Sequence, residues 1–263
     1  NEGEWVLLNG NQTALMFVYY LIIRWKELGK INGKEYIVKT IVTTETIKTI
    51  AERNGVEMYD VYTGFKWIAN VMRENEGKKN YIGGGEESYG FLCEDFVRDK
   101  DAVSACVILA EIAAWAKDQG LSLYQLLQKI YVEYGFSKEK GISVVKKGKS
   151  GAEEIEAMMK KFRENPLTEI AGSKVTYFYD YSTLKGKDYA ENETVTLDMP
   201  TTSNVLQYFT EDNTKVSIRP SGTEPKIKFY CEVHSKVKSI DELPEAEKAA
   251  EEKINQIKAS LGI

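Results

Sequence analysis

The sequence predicts an α/β chain: a βαβ parallel-sheet domain followed by an α+β C-terminal domain. Between residues 36 and 82, three short apolar runs alternate with segments of helical period, the pattern of a parallel sheet with crossover helices. Past residue 171 the period changes to strict alternation over short runs, and one amphipathic helix closes the chain. A chain of 263 residues, 43% of them hydrophobic, is long enough for one or two cores of this kind.

Residues 36–42 are mostly apolar and β-branched, which suits a parallel strand buried on both faces. Thr44 can cap a helix whose face is Ile47, Ile50 and Ala51, with Gly55 as its stop. Residues 56–62 read as the next strand. After Thr63-Gly64 a helix follows with Trp67, Ile68, Val71 and Met72 on its buried side, and Tyr81-Ile82 forms a third strand that ends at Gly83. In such a sheet, binding loops stand at the carboxyl ends of the strands, where Thr63-Gly64 and residues 83–88 fall. Residues 102–117 are apolar nearly all round and predict a buried helix ending near Gly120. Ser122 can cap another, with Leu123, Leu126, Leu127, Ile130 and Tyr131 at helical spacing.

The first domain is placed at 10–134. Gly and Lys are frequent over 134–150, so 135–170 is read as a linker with a connecting helix, whose stripe is Ile155, Met158, Met159 and Phe162. Asn165-Pro166 ends that helix. The second domain is placed at 171–263. Residues 174–179 alternate as a strand, 194–199 are compatible with another, and 215–218 and 226–233 flank a loop. In the last of these Ile227, Phe229, Cys231 and Val233 alternate with Lys228, Tyr230 and Glu232, the period of a half-buried strand. Pro244 in a first turn, with Glu245 and Glu247 nearby, starts a final helix whose apolar face is Ala246, Ala250, Ile254, Ile257 and Leu261.

A net charge of −5 argues against general nucleic-acid binding, so an anionic ligand needs a local basic cluster, which Arg219, Lys226 and Lys228 supply. Cys93, Cys106 and Cys231 lack metal-ligand spacing and read as buried, reduced thiols. No apolar run approaches the roughly 20 residues of a membrane span, no signal peptide is visible, and a cytoplasmic location with no membrane partner is expected. Trp5, Trp25, Trp67 and Trp115 read as core, and His234 as structural.

Two loops carry chemistry. In Arg219-Pro-Ser-Gly-Thr-Glu-Pro-Lys226 the arginine offers a planar fork of donors for phosphate oxygens, Ser221 and Thr223 add hydroxyls, Gly222 lets backbone N–H groups approach, and Lys226 adds charge. Composition alone fits a stiff hairpin with solvated charges equally well, and a lysine at a strand start is commonly solvated. In Tyr81-Ile-Gly-Gly-Gly-Glu-Glu-Ser-Tyr-Gly-Phe91 three consecutive glycines signal close passage of backbone. The loop is expected to precede a helix. Glu86 and Ser88 suit sugar hydroxyls, or else cap the segment that follows, while Glu87 faces solvent or a backbone N–H.

Together the loops resemble those of the α-D-phosphohexomutases, the phosphoglucomutase/phosphomannomutase family, with a Gly-Glu-x-Ser sugar loop in the third domain and an Arg-x-Ser-Gly-Thr phosphate loop in the fourth. Thr63-Gly-Phe-Lys-Trp-Ile68 is similar to the family's further Thr-Gly loop, and Arg98-Asp-Lys-Asp101 to another active-site segment, although Arg98 could equally pair with Asp95. The four stand in the family's order. The resemblance implies that 10–134 is domain three, that 171–263 is domain four with a TBP-like sheet and helices, and that 1–9 is a remnant of domain two, its residues 4–8 similar to the strand after the metal loop. It implies a hexose phosphate substrate bound by Glu86, Ser88, Thr63, Lys66, Lys100, Arg219, Ser221, Gly222, Thr223 and Lys226. Thr63 and Lys66 are equally compatible with starting a helix.

The chain departs from the family pattern in having neither the Thr-x-Ser-His phosphoserine loop nor the Asp-x-Asp-x-Asp metal loop. The resemblance therefore implies the C-terminal portion of an intramolecular phosphotransferase, an isomerase, with no catalytic nucleophile and no metal of its own. Mg2+ and hexose 1,6-bisphosphate would serve the full-length parent, and the missing N-terminal domains would be this portion's partners. The Gly-Gly-Glu-Glu-Ser-Tyr-Gly and Thr-Gly-Phe-Lys-Trp forms lean toward the phosphoglucomutase-like, pentomutase-containing branch. The alternative is a non-enzymatic phosphosugar- or anion-binding module, against which the Asn1 start speaks.

Overall fold

Three strands form the parallel core that the first half of the sequence predicts: β1 (Glu35–Thr40), β2 (Glu57–Val61) and β3 (Asn80–Gly85), in the order β2-β1-β3. The short β4 (Phe91–Cys93) adds antiparallel to β3. Central β1 is buried at every position, as expected of a strand covered on both faces. The crossovers are α2 (Thr46–Arg53), which buries Ile47, Ile50 and Ala51, and α3 (Phe65–Asn75), which buries Phe65, Ile68 and Met72. Tyr36, Val38, Val61, Phe65, Ile68 and Tyr81 share one core cluster. The computed structural model describes residues 3 and 5–263.

The glycines differ from expectation. Gly83, Gly84 and Gly85 lie inside β3 rather than in a loop after it. A Cβ on Gly84 would stand 2.3 Å from the Val38 carbonyl oxygen, and one on Gly85 2.5 Å from that of Gly90. The close passage they permit is between neighbouring strands of this sheet.

Helix α1 (Gly10–Glu27) is absent from the periodicity reading because it is apolar over most of its circumference, burying eleven residues from Gly10 to Ile22. Its cap was legible. The Asn9 side chain accepts from Gln12 N and the Gln12 side chain accepts from Asn9 N, both at 2.9 Å, a reciprocal capping box. Helix α5 (Leu123–Tyr134) starts with the same device at Ser122 and Gln125 and buries Leu126, Leu127, Ile130 and Tyr131. Helix α4 (Ala102–Asp118) corrects the prediction of a buried helix: only Ile112 and Ala116 are buried. One side packs on α1, β4 and α5. The other carries Val103, Cys106 and Val107 to the surface, Val103 at 74% exposure. Cys106 is therefore an exposed thiol, while Cys93 and Cys231 are buried. Residues 5–9 form no strand and Trp5 is fully exposed, so neither the expected strand over 4–8 nor a core Trp5 is found; Glu4 lies outside the described residues.

The second sheet has the order β5-β12-β11-β10-β7-β8-β9. Its strands are β5 (Phe136–Val145), β7 (Ser173–Asp180), β8 (Lys185–Asp188), β9 (Glu193–Thr196), β10 (Leu206–Thr210), β11 (Lys215–Pro220) and β12 (Lys226–Ser235), with the two-residue β6 (Glu169–Ile170) pairing β7. The stretch read as a linker is part of this architecture. β5 is the sheet's edge, and its lysines guard that edge against further pairing. Helix α6 (Gly148–Glu164) buries Ile155, Met159 and Phe162 and packs on β11 and β12. Helix α7 (Leu243–Leu261) buries Ala250, Ile254, Ile257 and Leu261 on the face that the sequence predicts.

By contacts the chain divides into two units: residues up to Phe136 with Lys236–Leu243, and Ser137–Ser235 with Pro244–Ile263. Among the described residues no helix is long and apolar enough to cross a membrane.

Candidate functional site

In the first unit the chain turns back from β3 to β4 through residues 86–90, where Glu86 N donates to Gly90 O at 2.8 Å and Tyr89 adopts a positive φ of 70°. A strand follows this turn, not the helix that the sequence predicts. Glu86 is buried (8% exposed), and its Oε1 accepts from Gly64 N at 2.8 Å. That bond ties the turn to Thr63-Gly64 at the carboxyl end of β2, where Gly64 takes a φ of 116° open to glycine. Thr63 is half-buried beside it, and Ser88 is exposed at the tip of the turn.

The basic residues are placed less uniformly. The Lys100 ammonium lies 5.7 Å from the Phe65 ring centroid and 3.1 Å from Asp99 Oδ1, and its Cδ is 3.2 Å from where a Gly90 Cβ would sit. Gly64, next to Thr63, and Lys100 thus both meet the turn that carries Glu86. Lys66 is exposed on the first turn of α3, with its ammonium 4.9 Å from the Trp67 ring centroid. Arg98 pairs with Glu76 at 3.1 Å rather than with Asp95. Asp101 caps α4 by accepting from Ser104 N at 2.9 Å, and hydrogen bonds from the Ser104 side chain and backbone hold its carboxyl below the usual range.

Glu87 does not simply face solvent: its Oε2 lies 3.4 Å from the Thr40 hydroxyl, which donates to it. Beside Thr40 stands Lys39, 1% exposed, with its ammonium 2.7 Å from Asp60 Oδ1 and 2.9 Å from Glu45 Oε1. A lysine inside an apolar, β-branched run was the available signal for this buried ionic cluster, because lysine is almost never fully buried unpaired.

In the second unit Arg219 and Ser221 to Lys226 sit on the β11–β12 hairpin. Ser221 N donates to Lys226 O and Lys226 N to Glu224 O, both at 2.7 Å. Ser221 Oγ lies 3.4 Å from both Thr223 Oγ1 and Thr223 N, so the two hydroxyls share one end of the loop. Gly222 is exposed, and a Cβ there would meet nothing within 4 Å. Arg219 pairs in register with Lys228, which sets two cations directly opposite each other. Like charges so placed destabilise a sheet. Its Nη1 is buried without a hydrogen-bond partner. Lys226 is committed differently, 2.9 Å from Glu224 Oε1, and that bond holds the Glu224 carboxyl below the usual range. Between the loop and α6 lies a cavity of about 460 Å³ lined by Ile155, Met159, Asn204, Ser221 and Thr223 among others. Asn204, which the sequence does not single out, is held by Arg163 at 2.7 Å, and Arg163 also pairs with Asp180.

His234 Nε2 lies 2.8 Å from Glu232 Oε1, and the same carboxylate pairs with buried Lys215 at 2.9 Å. Among the described residues no group of three or more His, Cys, Asp or Glu could hold a metal ion.

The comparisons with known proteins agree with this layout. Residues 9–134 match the family model described as phosphoglucomutase/phosphomannomutase, alpha/beta/alpha domain III, and residues 143–250 match the model of the same family's C-terminal domain. A phosphoglucomutase of Staphylococcus haemolyticus is 33% identical over 233 residues, which are 89% of this chain and 41% of the relative. One of Staphylococcus aureus is 37% identical over 229 residues, 87% of this chain and 40% of the relative. The chain thus spans about 40% of the length of these curated relatives. Among solved structures, the open form of pp63/parafusin, a phosphoglucomutase from Paramecium, aligns with a TM-score of 0.57 at 16% identity over 96% of this chain and 42% of that one. A phosphoglucomutase/phosphomannomutase family protein from Burkholderia thailandensis gives 0.56 at 15% identity, over 98% and 43%. At those identities the structures speak to the fold.

Proposed function

This chain belongs to the phosphoglucomutase/phosphomannomutase family, carrying its domain III and its C-terminal domain, and we propose that it serves reversible phosphoryl transfer between the 1- and 6-hydroxyls of a hexose phosphate. In this reading Glu86 and Ser88, with Thr63, Lys66 and Lys100 around them, bind sugar hydroxyls. Arg219, Ser221, Gly222 and Thr223 hold the phosphate that is not reacting, with Lys226 at the loop's edge. A bisphosphorylated intermediate must present either end to the same nucleophile, so the sugar-binding groups must serve both orientations and the phosphate loop either phosphate. Phosphoryl transfer depends mainly on positioning and on stabilising charge, which is what these groups supply.

The observation that carries the reading is Arg219. A guanidinium nitrogen buried without a partner, on a strand that also sets a cation directly opposite, is a site where an anion relieves two costs at once. The described residues do not fit Mg2+, so no step is assigned to a metal on this chain. The phosphoserine and Mg2+ are assigned to the family's preceding domains, and the place of action to the cytoplasm, which suits three free thiols.

The test is Arg219→Ala in the full-length enzyme. Loss of a charge-assisted contact worth ~2–3 kcal/mol should raise KM for glucose 1-phosphate by roughly 30- to 150-fold. Unchanged kinetics in a variant with an unchanged melt would mean that Arg219 is only the shoulder of a hairpin.

A further inference from the structure

The turn at 86–90 is held from a side that the sequence leaves without a role. The residue that opens α1, Gly10, lies so close to it that a Cβ there would stand 1.9 Å from the Glu87 carbonyl oxygen and 2.9 Å from Tyr89 N. Both are backbone atoms, so no side-chain rotation relieves the collision. The Tyr89 hydroxyl donates to Leu8 O at 2.9 Å, strapping the turn to the residue that precedes the helix cap. Gly10, Thr13 and Phe17 on α1 and Glu86 and Gly90 on the turn, with Phe91 at the start of β4, leave only about 10 Å³ between them. The turn is also held from the ends of β1 and β2, by Gly64 N on Glu86 and by the Thr40 hydroxyl on Glu87.

We propose that Leu8 and Gly10 form a mount for this turn, with Gly10 and Tyr89 as positioning residues that set where Glu86 and Ser88 stand. The inference rests on the reading of Glu86 and Ser88 as the sugar-binding groups. The positive φ of Tyr89 is then part of the device: it aims the ring and its hydroxyl back at Leu8 and leaves Ser88 at the exposed tip. Recognition that depends on a turn braced in this way should be sensitive to displacements smaller than an ångström.

Gly10→Ala, Tyr89→Phe and Glu86→Gln are made in the full-length enzyme, with glucose 1-phosphate kinetics, the Ki of inorganic phosphate and the thermal melt measured for each. Gly10→Ala should raise KM about tenfold with kcat changed less than about threefold. Tyr89→Phe, which removes only an exposed hydroxyl, should raise KM about threefold. Neither should move the Ki of inorganic phosphate, a ligand for the other loop. If Gly10→Ala does not fold, Tyr89→Phe decides. A clear KM effect in Glu86→Gln with none in the two mount variants overturns the mount and leaves the sugar reading standing. No effect in Glu86→Gln overturns the sugar reading and the mount with it. A rise in phosphate Ki equal to the rise in KM shows general loosening and also overturns the mount.

Discussion

At Arg219 the register places Lys228 directly opposite, while Lys226 already has a carboxylate 2.9 Å away. The three cations of this hairpin therefore differ in how much charge they can offer a ligand. Lys226→Ala is expected to raise KM for glucose 1-phosphate by less than about fivefold, because an exposed ion pair screens that ammonium. Kinetics of Lys226→Ala beside Arg219→Ala in the same enzyme will rank them, and equal losses would refute the ranking. The β11–β12 hairpin that carries these residues was legible in the sequence; the Glu224 partnership was not, since it depends on how a four-residue turn closes. His234 shows a similar limit. Burial works against a charged imidazole, but the Glu232 carboxylate 2.8 Å away outweighs it, with Glu139 also raising the ring's pKa and Lys215 lowering it. A pKa raised in the folded state contributes stability that is full below the unfolded value, near pH 6.5, and is lost as pH rises through the folded one. Urea midpoints of the wild type and His234→Gln should therefore differ most below the unfolded value, near about pH 6, and converge as pH rises through the folded one. A difference independent of pH would mean that the ring contributes only by packing.

Elements were readable where one face had to be buried and the other did not. The amphipathic α2, α3, α5 and α7 all bury the predicted faces. Helices apolar nearly all round gave the poorest guidance. The α1 pattern has no polar stripe to set its period, and α4 leaves Val103 and Val107 exposed because composition cannot say which neighbours cover a helix. The edge strand β5 was missed for the complementary reason, since lysines that protect an edge read as linker. The glycines of β3 show how packing can be taken for function: a triple glycine beside a candidate binding turn serves close backbone approach within the sheet. Gly84→Ala should lower unfolding stability by about 1–3 kcal/mol or more, because the new methyl meets the Val38 carbonyl oxygen and the Tyr81 hydroxyl. Denaturant melts measure it. An unchanged midpoint would show that β1 and β3 can separate freely, contrary to the buried core around Tyr36 and Tyr81.

For the whole molecule, the proposed reading separates recognition from chemistry. The loops read as holding phosphate and sugar lie on elements complete within this chain, while its described residues include no metal-ligand cluster and its sequence no phosphoserine loop. Positioning groups stabilise a transition state only relative to a nucleophile that they orient, so without one they bind and release. The purified 263-residue chain is therefore expected to show no conversion of glucose 1-phosphate to glucose 6-phosphate in a coupled assay, with or without added magnesium. It should still take up inorganic phosphate weakly at the β11–β12 loop, because Arg219, whose Nη1 is buried without a partner, belongs to that hairpin. Chemical-shift titration of the chain and of its Arg219→Ala variant distinguishes the two halves of this expectation. Turnover above the host-enzyme background would show a nucleophile within the chain and overturn the separation. Absence of phosphate-induced shifts at Ser221 and Thr223, or their persistence without Arg219, would remove the phosphate loop from the proposal.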